Sequence, residues 1–319
     1  MATLITGGAG FIGSHLTNKL IELGEIVIVV DDESSGNFNN LKQHKNLKII
    51  SGSILDKKLI SKIMPSVKKC FHLAAAVGVK KINDNPLGAL EINIQGTENI
   101  LKSASSNQIR TFLASSSEVY GKNPAQPLSE SSDRLVGTTT IARWSYSESK
   151  AIDEFLAIQL SRTSQFPVTI GRLFNTVGPL QVGNYGMVLP NFINAAINNK
   201  PLQVFGDGSQ IRTFTSVSDV IEAMILLMNS PNSLGQIYNI GGNQPISIID
   251  LAKKVLRVTK SKSNIEFISL EEVYGKYFEE PVVRIPDITK LKSTIGWEPK
   301  QNLDAIIYEI FNDLSKKIK

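Results

Sequence analysis

A single cysteine, Cys70, occurs in the 319 residues. That scarcity excludes a disulfide within the chain and a cysteine metal cluster, so no metal is expected and a reducing, cytoplasmic setting fits best. No window holds eighteen uninterrupted apolar residues, so no membrane-spanning helix is expected. The first residues run straight into a strand-like stretch, Leu4-Ile5-Thr6, without the basic start and long apolar core of an export signal. Lys and Arg outnumber Asp and Glu by 34 to 29, but they are scattered or in short pairs such as Lys57-Lys58 and Lys316-Lys317. Without a basic tract interleaved with aromatics, nucleic acid is not an expected partner. Internal repeats and low-complexity segments are also lacking.

What the chain does have is 42% apolar residues, enough for a sizeable core, in a rhythm that alternates short apolar runs with helical patterns. Strands are expected at Ala2 to Thr6, Ile26 to Val30, Leu47 to Ile50, Lys69 to Leu73, Thr111 to Ala114 and Val168 to Leu173. Helices are expected between them, at His15 to Leu23, Glu91 to Ser105 and Ser147 to Thr163. Nearly continuous apolar strands imply burial on both faces, hence an α/β fold with a doubly wound parallel sheet of Rossmann type. Beyond residue 175 the pattern changes to Gly- and Pro-bearing loops mixed with helices, ending in an amphipathic helix from Asp304 to Lys317. Residues 1–175 are therefore expected to form a dinucleotide-binding domain, with 214–245 returning to it through a strand at Gln236 to Ile240. Residues 176–213 and 246–319 are expected to form a smaller substrate-binding lobe.

The run Thr6-Gly7-Gly8-Ala9-Gly10-Phe11-Ile12-Gly13 follows a strand and opens a helix. Glycines there permit a tight turn and close approach of backbone to a pyrophosphate, and the helix N-terminus offers free N–H groups. Gly7, Gly10, Phe11, Ile12 and Gly13 are thus candidate cofactor contacts. Asp31, at the end of the second strand, is placed to accept hydrogen bonds from an adenosine ribose, which favours NAD over NADP. No arginine in Asp32-Glu33-Ser34-Ser35-Gly36 relieves the repulsion a 2′-phosphate would meet. The plainer alternative is a turn aspartate.

Tyr146 and Lys150, four apart at the start of a helix, share one helical face. An ammonium beside a phenol stabilises the phenolate and makes it a usable general base. The fifth strand leads into Ser115-Ser116-Ser117-Glu118, which puts hydroxyls and a carboxylate at the sheet edge where ligands bind. Taken as a turn, the same serines would carry no chemistry.

Together these residues resemble the extended short-chain dehydrogenase/reductase family, in its nucleotide-sugar epimerase and dehydratase branch. The resemblance runs over nearly the whole length and includes His72-Leu73-Ala74-Ala75, Asn93 with Gly96-Thr97, Arg172-Leu173-Phe174-Asn175 with Gly178-Pro179, and Gly206-Asp207-Gly208 with Arg212. It implies an NAD-dependent enzyme that oxidises C4 of a nucleotide-linked, UDP-type sugar. It casts Ser116 as the hydroxyl partner of Tyr146 and Lys150 as the contact to the nicotinamide ribose. Ile54, Leu73, Ala74, Ala75 and Asn93 would lie along the cofactor, and Asn175 and Arg212 would hold the substrate pyrophosphate. Gln203 and Phe205 would sit near the base, with Ser117 and Arg284 also facing substrate. The resemblance further implies a homodimer paired through Glu91 to Ser105 and Ser147 to Thr163.

For the fate of the 4-keto sugar, the sequence points two ways. Dehydratases of this branch carry Asp-Glu after the catalytic hydroxyl residue; this chain has Ser117-Glu118, which disfavours 4,6-dehydration. UDP-glucuronate decarboxylases match better there and at Arg284-Ile285-Pro286-Asp287. Against them, Ala75-Ala76-Val77-Gly78-Val79 looks epimerase-like and lacks the Ser-Pro-Ala-Ser-Pro run of the decarboxylases. Lys80 and Lys81 would neutralise a uronate or simply be exposed loop lysines. The expected reaction is 4-epimerisation of a UDP-hexose or UDP-uronate, with Glu118 as a further catalytic candidate. Decarboxylation of UDP-glucuronate is the alternative, ahead of a non-catalytic NAD-binding scaffold.

Overall fold

A computed structural model describes the whole chain except residues 79–81, 83, 184–186, 275–278 and 319. Seven parallel strands form the central sheet: β1 (Ala2–Thr6), β2 (Val27–Asp31), β3 (Leu47–Ser51), β4 (Val67–His72), β5 (Arg110–Ser116), β6 (Val168–Leu173) and β7 (Gln236–Ile240). Their order is β7-β6-β5-β4-β1-β2-β3. The strand at residues 236–240 does return to this sheet, pairing with β6 from Gln236↔Thr169 to Ile240↔Leu173. Every residue of β1 and β2 is buried, as their unbroken apolar runs require, whereas β3 on the open edge is largely exposed. The chain reverses its direction of winding between β1 and β4, and a crevice opens at the carboxyl ends of those two neighbours.

Helix α1 (Phe11–Glu22) lies on one face of the sheet and α2 (Thr97–Ser106) and α3 (Trp144–Ser164) on the other. Helix α4 (Val217–Asn229) joins α1 on the first face, burying Val220, Met224 and Leu227 against Leu16 and Leu20. A third apolar cluster, built from Leu189, Phe192, Leu251, Val255, Ile306 and Ile307, belongs to the later helices.

Two departures from the periodicity bear on the site. Strand β5 continues to Ser116, two residues beyond the expected Ala114, and so delivers that hydroxyl at the strand's end. The helix expected over Glu91 to Ser105 begins at Pro86 and passes through a π-helical stretch, Glu91–Gly96, before continuing as α2. Asn93 explains the widened turn in part, because its buried side chain spans from Ala76 N (2.8 Å) to Ser149 Oγ (3.2 Å). Among the described residues, no helix is long and apolar enough to cross a membrane.

Candidate active site

A cleft of about 950 Å³ runs from Asp31, across the glycine turn, to the tips of β5 and α3 and into the later lobe. At its inner end Gly7 adopts φ +69°, and a Cβ there would stand 2.7 Å from Ala74 N. A side chain on Gly13 would collide with the Gly7 carbonyl, so the two glycines hold α1 tight against the strand end. Gly10 caps α1 without a side-chain hydrogen bond, and the first turn of the helix carries no acid. Its leading N–H groups and dipole are therefore available to a pyrophosphate. Asp31, at the far rim, accepts Ala9 N (2.9 Å) on one oxygen and Glu33 N (2.8 Å) on the other. Burial pushes its carboxyl up while those two bonds hold it down. Each oxygen retains a lone pair for a ribose hydroxyl. The turn and the carboxylate thus fit a dinucleotide of the NAD type.

Ser116, Tyr146 and Lys150 come together at the middle of the cleft. Ser116 closes β5, where its Oγ accepts Glu118 N (3.2 Å), and its hydroxyl also reaches the Tyr146 phenol. Burial pushes the Tyr146 phenol up, and the Lys150 ammonium opposes that shift. Lys150 is itself buried, which is the largest single influence and disfavours the charged form, yet Asp153, Tyr146 and Glu154 together outweigh burial and push the ammonium's pKa up. The Lys150 Nζ to Asp153 Oδ2 distance is 2.9 Å.

Opposite this trio sits Glu118, gripped by two arginines. Arg284 Nη1 lies 2.6 Å from one carboxylate oxygen and Arg143 Nη2 lies 3.4 Å from the other. Burial would raise the Glu118 carboxyl, but the arginines overcome it and hold it near pH 2, so it is ionised. Arg284 Nη1 also approaches Ser117 Oγ at 3.5 Å. Its Nε and Nη2 are buried with no hydrogen-bond partner among the described residues. Arg212, its register partner on the adjacent short strand, is used up differently: Nη2 binds Glu280 Oε1 (2.8 Å) and Pro281 O (2.7 Å), and Nη1 binds Val282 O (3.2 Å). Burial, and then Arg284, lower the Arg212 guanidinium to about 10.

All the site residues read from the sequence line this cleft except one. Gly7, Gly10, Phe11, Ile12, Gly13, Ile54, Leu73, Ala74 and Ala75 line it around the glycine turn, and Asn175, Gln203, Phe205, Arg212, Ser117 and Arg284 line it elsewhere. Asn93 is the exception: it is buried and does not line the cleft, its side chain bonding Ala76 and Ser149. Lys80 and Lys81 lie outside the described residues. Arg172 belongs to the scaffold, buried in an ion pair with Glu154 (2.7 Å) and stacked over the Tyr120 ring. Sequence reasoning missed Arg143, which lines the cleft beside Glu118. Its signal was available, since it lies three residues before Tyr146 on the turn entering α3.

Comparison with known proteins agrees with this geometry. A protein-family profile described as GDP-mannose 4,6 dehydratase matches residues 4–310. The UDP-N-acetyl-alpha-D-glucosaminuronate decarboxylase of Bacillus cytotoxicus is 42% identical over 301 residues, spanning 93% of this chain and 92% of that protein. UDP-glucuronic acid decarboxylase 2 of Arabidopsis thaliana is 35% identical, over 100% of this chain and 69% of that one. Among solved structures, UDP-glucuronic acid 4-epimerase of Bacillus cereus, in complex with UDP-glucuronic acid and NAD, superposes with a TM-score of 0.89. It is 25% identical and covers 99% of this chain and 100% of its own. The first expectation, 4-epimerisation, is therefore corrected in rank: the relatives by sequence carry decarboxylase names, and the epimerase is the more distant likeness.

Proposed function

Since the chain belongs to the GDP-mannose 4,6-dehydratase family of extended, NAD-dependent short-chain dehydrogenases, we propose that it decarboxylates a UDP-linked uronic acid. The observation that carries this reading is the unpartnered edge of Arg284. Glu118 occupies Nη1 and leaves Nε and Nη2, two parallel donors in one plane, buried at the substrate end of the cleft. Such a fork matches the two oxygens of a carboxylate, and a neutral hexose would leave both donors desolvated and unused.

Tyr146, with Lys150 beside it, takes the proton from the sugar O4 while Ser116 holds that oxygen. Gly7 to Gly13 and Asp31 would hold NAD, which when bound would supply the acceptor for the C4 hydride and the donor that restores it. A ketone at C4 is β to the C6 carboxylate, so the C5–C6 electron pair can move into the carbonyl as carbon dioxide leaves, and the enolate so formed takes one proton from solvent water at C5 to restore the ketone. Arg284 orients that carboxylate, and the fixed negative charge of Glu118 favours its departure as a neutral molecule. Tyr146, protonated by the first step, returns its proton to oxygen when the ketone is reduced. Residues 176–213 and 246–319 act as the lobe that holds the UDP-sugar, with Asn175 and the positive charge of Arg212, whose Nη atoms already bond the protein, near the pyrophosphate and Gln203 and Phe205 near the base. Two copies pair through α2 and α3, on which Ile152 and Phe155 stand exposed one turn apart.

The deciding experiment incubates the purified protein separately with UDP-glucuronate, UDP-N-acetylglucosaminuronate and UDP-glucose, following mass and the sugar proton couplings. Loss of carbon dioxide from a uronate is the expected result. Unchanged mass with inversion at C4 would return the chain to the epimerases.

A further inference from the structure

Asp153 does not line the cleft, yet it is buried one helical turn beyond Lys150 with its Oδ2 2.9 Å from the ammonium. Thr97, on α2, hydrogen-bonds to the same carboxylate. Thr97 Oγ1 lies 3.0 Å from His72 Nε2, and His72 Nδ1 lies 2.7 Å from Thr6 Oγ1. Thr6 is the last residue of β1, directly before Gly7. All five side chains are buried.

The direction of each bond is set by the charges. Burial, with the Lys150 charge adding to it, holds His72 at about 3, so its ring is neutral and has one N–H. The Asp153 carboxylate is an acceptor only and takes the Thr97 hydroxyl proton. The Thr97 oxygen then accepts His72 Nε2–H, which leaves Nδ1 bare to accept the Thr6 hydroxyl. The Thr6 oxygen in turn accepts Ala74 N (3.4 Å), the same amide that bounds the glycine turn. Every proton in the chain has one use.

We propose that Asp153 is a positioning residue, fixing the Lys150 ammonium beside Tyr146 and tying it, through Thr97, His72 and Thr6, to the strand end that shapes the dinucleotide cradle. An ammonium has three donors. Asp153 takes one from behind and leaves two for the cleft, one for the Tyr146 oxygen and one for a ribose hydroxyl of NAD. A buried ammonium without a counter-charge tends to lose its proton, and Asp153 prevents that. The other charged groups reaching the pair are Glu118 with Arg143 and Arg284 on the substrate side, and Glu154, which is itself held by Arg172. The inference rests on Tyr146 and Lys150 handling the proton, and not on which sugar is processed.

The test is Asp153→Asn. Removing the negative charge lowers the proton affinity of both Lys150 and Tyr146, so both limbs of the pH profile of kcat/KM are expected to move about one unit toward acid. The absorbance titration of the Tyr146 phenolate in the protein as purified, identified by its loss in Tyr146→Phe, should move the same way without any substrate. Lower kcat with limbs and titration unmoved would mean that Asp153 only packs, and would overturn the proposal. Should Asp153→Asn fail to fold, Asp153→Glu carries the test. Keeping the charge but displacing the ammonium by a methylene is expected to cut kcat about tenfold with the limbs in place, whereas wild-type kcat would refute the positioning role. A wrong choice of sugar chemistry would appear separately, as an unexpected product of the wild-type enzyme.

Discussion

Arg284 and Arg212 are register partners on adjacent short strands, yet both Nη nitrogens of Arg212 are bonded by the protein, whereas Nε and Nη2 of Arg284 are buried without a partner among the described residues. The difference comes from their neighbours: Glu280 and three carbonyls surround Arg212, while among the described residues Arg284 is met on Nη1, by Glu118 and Ser117.

Replacing Arg284 by Lys keeps the charge and removes the planar fork. A charge-assisted bidentate contact contributes about 1.5–3 kcal/mol, so kcat/KM on a UDP-uronate is expected to fall roughly ten- to a hundredfold. Bound NAD, measured after denaturation, should be unchanged, because Arg284 lies at the other end of the cleft.

Glu118 supplies a pH signature. Its carboxyl is depressed from 4.5 to about 2, so its contribution to stability is fully present above the unfolded value and is lost as pH falls through the folded one. The stability gap between the wild type and Glu118→Gln, measured by urea unfolding, is expected to be flat above pH 5 and to shrink between there and pH 2. A gap that changes instead between pH 6 and 8 would place a different group in that pair.

Asp31→Ser removes the carboxylate that meets the adenosine ribose. Affinity for NAD is expected to drop about tenfold, with a smaller loss for NADP because the like-charge repulsion disappears as well. Equilibrium titration with both cofactors reads the change in preference directly.

On α3, Phe155 is 64% exposed and Ile152 is 44% exposed, an apolar pair facing outward from the sheet. Phe155→Glu is expected to convert a homodimer to monomers at micromolar concentration in sedimentation velocity, leaving the far-ultraviolet circular dichroism intact. A wild-type monomer would exclude pairing through this face.

The cofactor end of the site was legible in the chain because all its signals are local. A glycine turn between a strand and a helix, an aspartate closing the next strand, and a Tyr and Lys one turn apart are each complete within a few residues, and short-range backbone geometry suffices to interpret them. The alternation of strands and helices likewise determined a parallel, doubly wound sheet, and the run at Gln236 already suggested its seventh strand. Tertiary structure decided what local spacing cannot carry. Glu118 and Arg284 are 166 residues apart and meet only because short strands of the later lobe bring residue 284 to the tip of β5. The chain from Asp153 through Thr97 and His72 to Thr6 draws on α3, α2, β4 and β1, and Asn93 turns to Ala76 and Ser149, on separate elements, and not to the cleft. Periodicity shows which residues are buried; only the packing of distant elements selects which buried polar groups become partners and which are left facing the substrate.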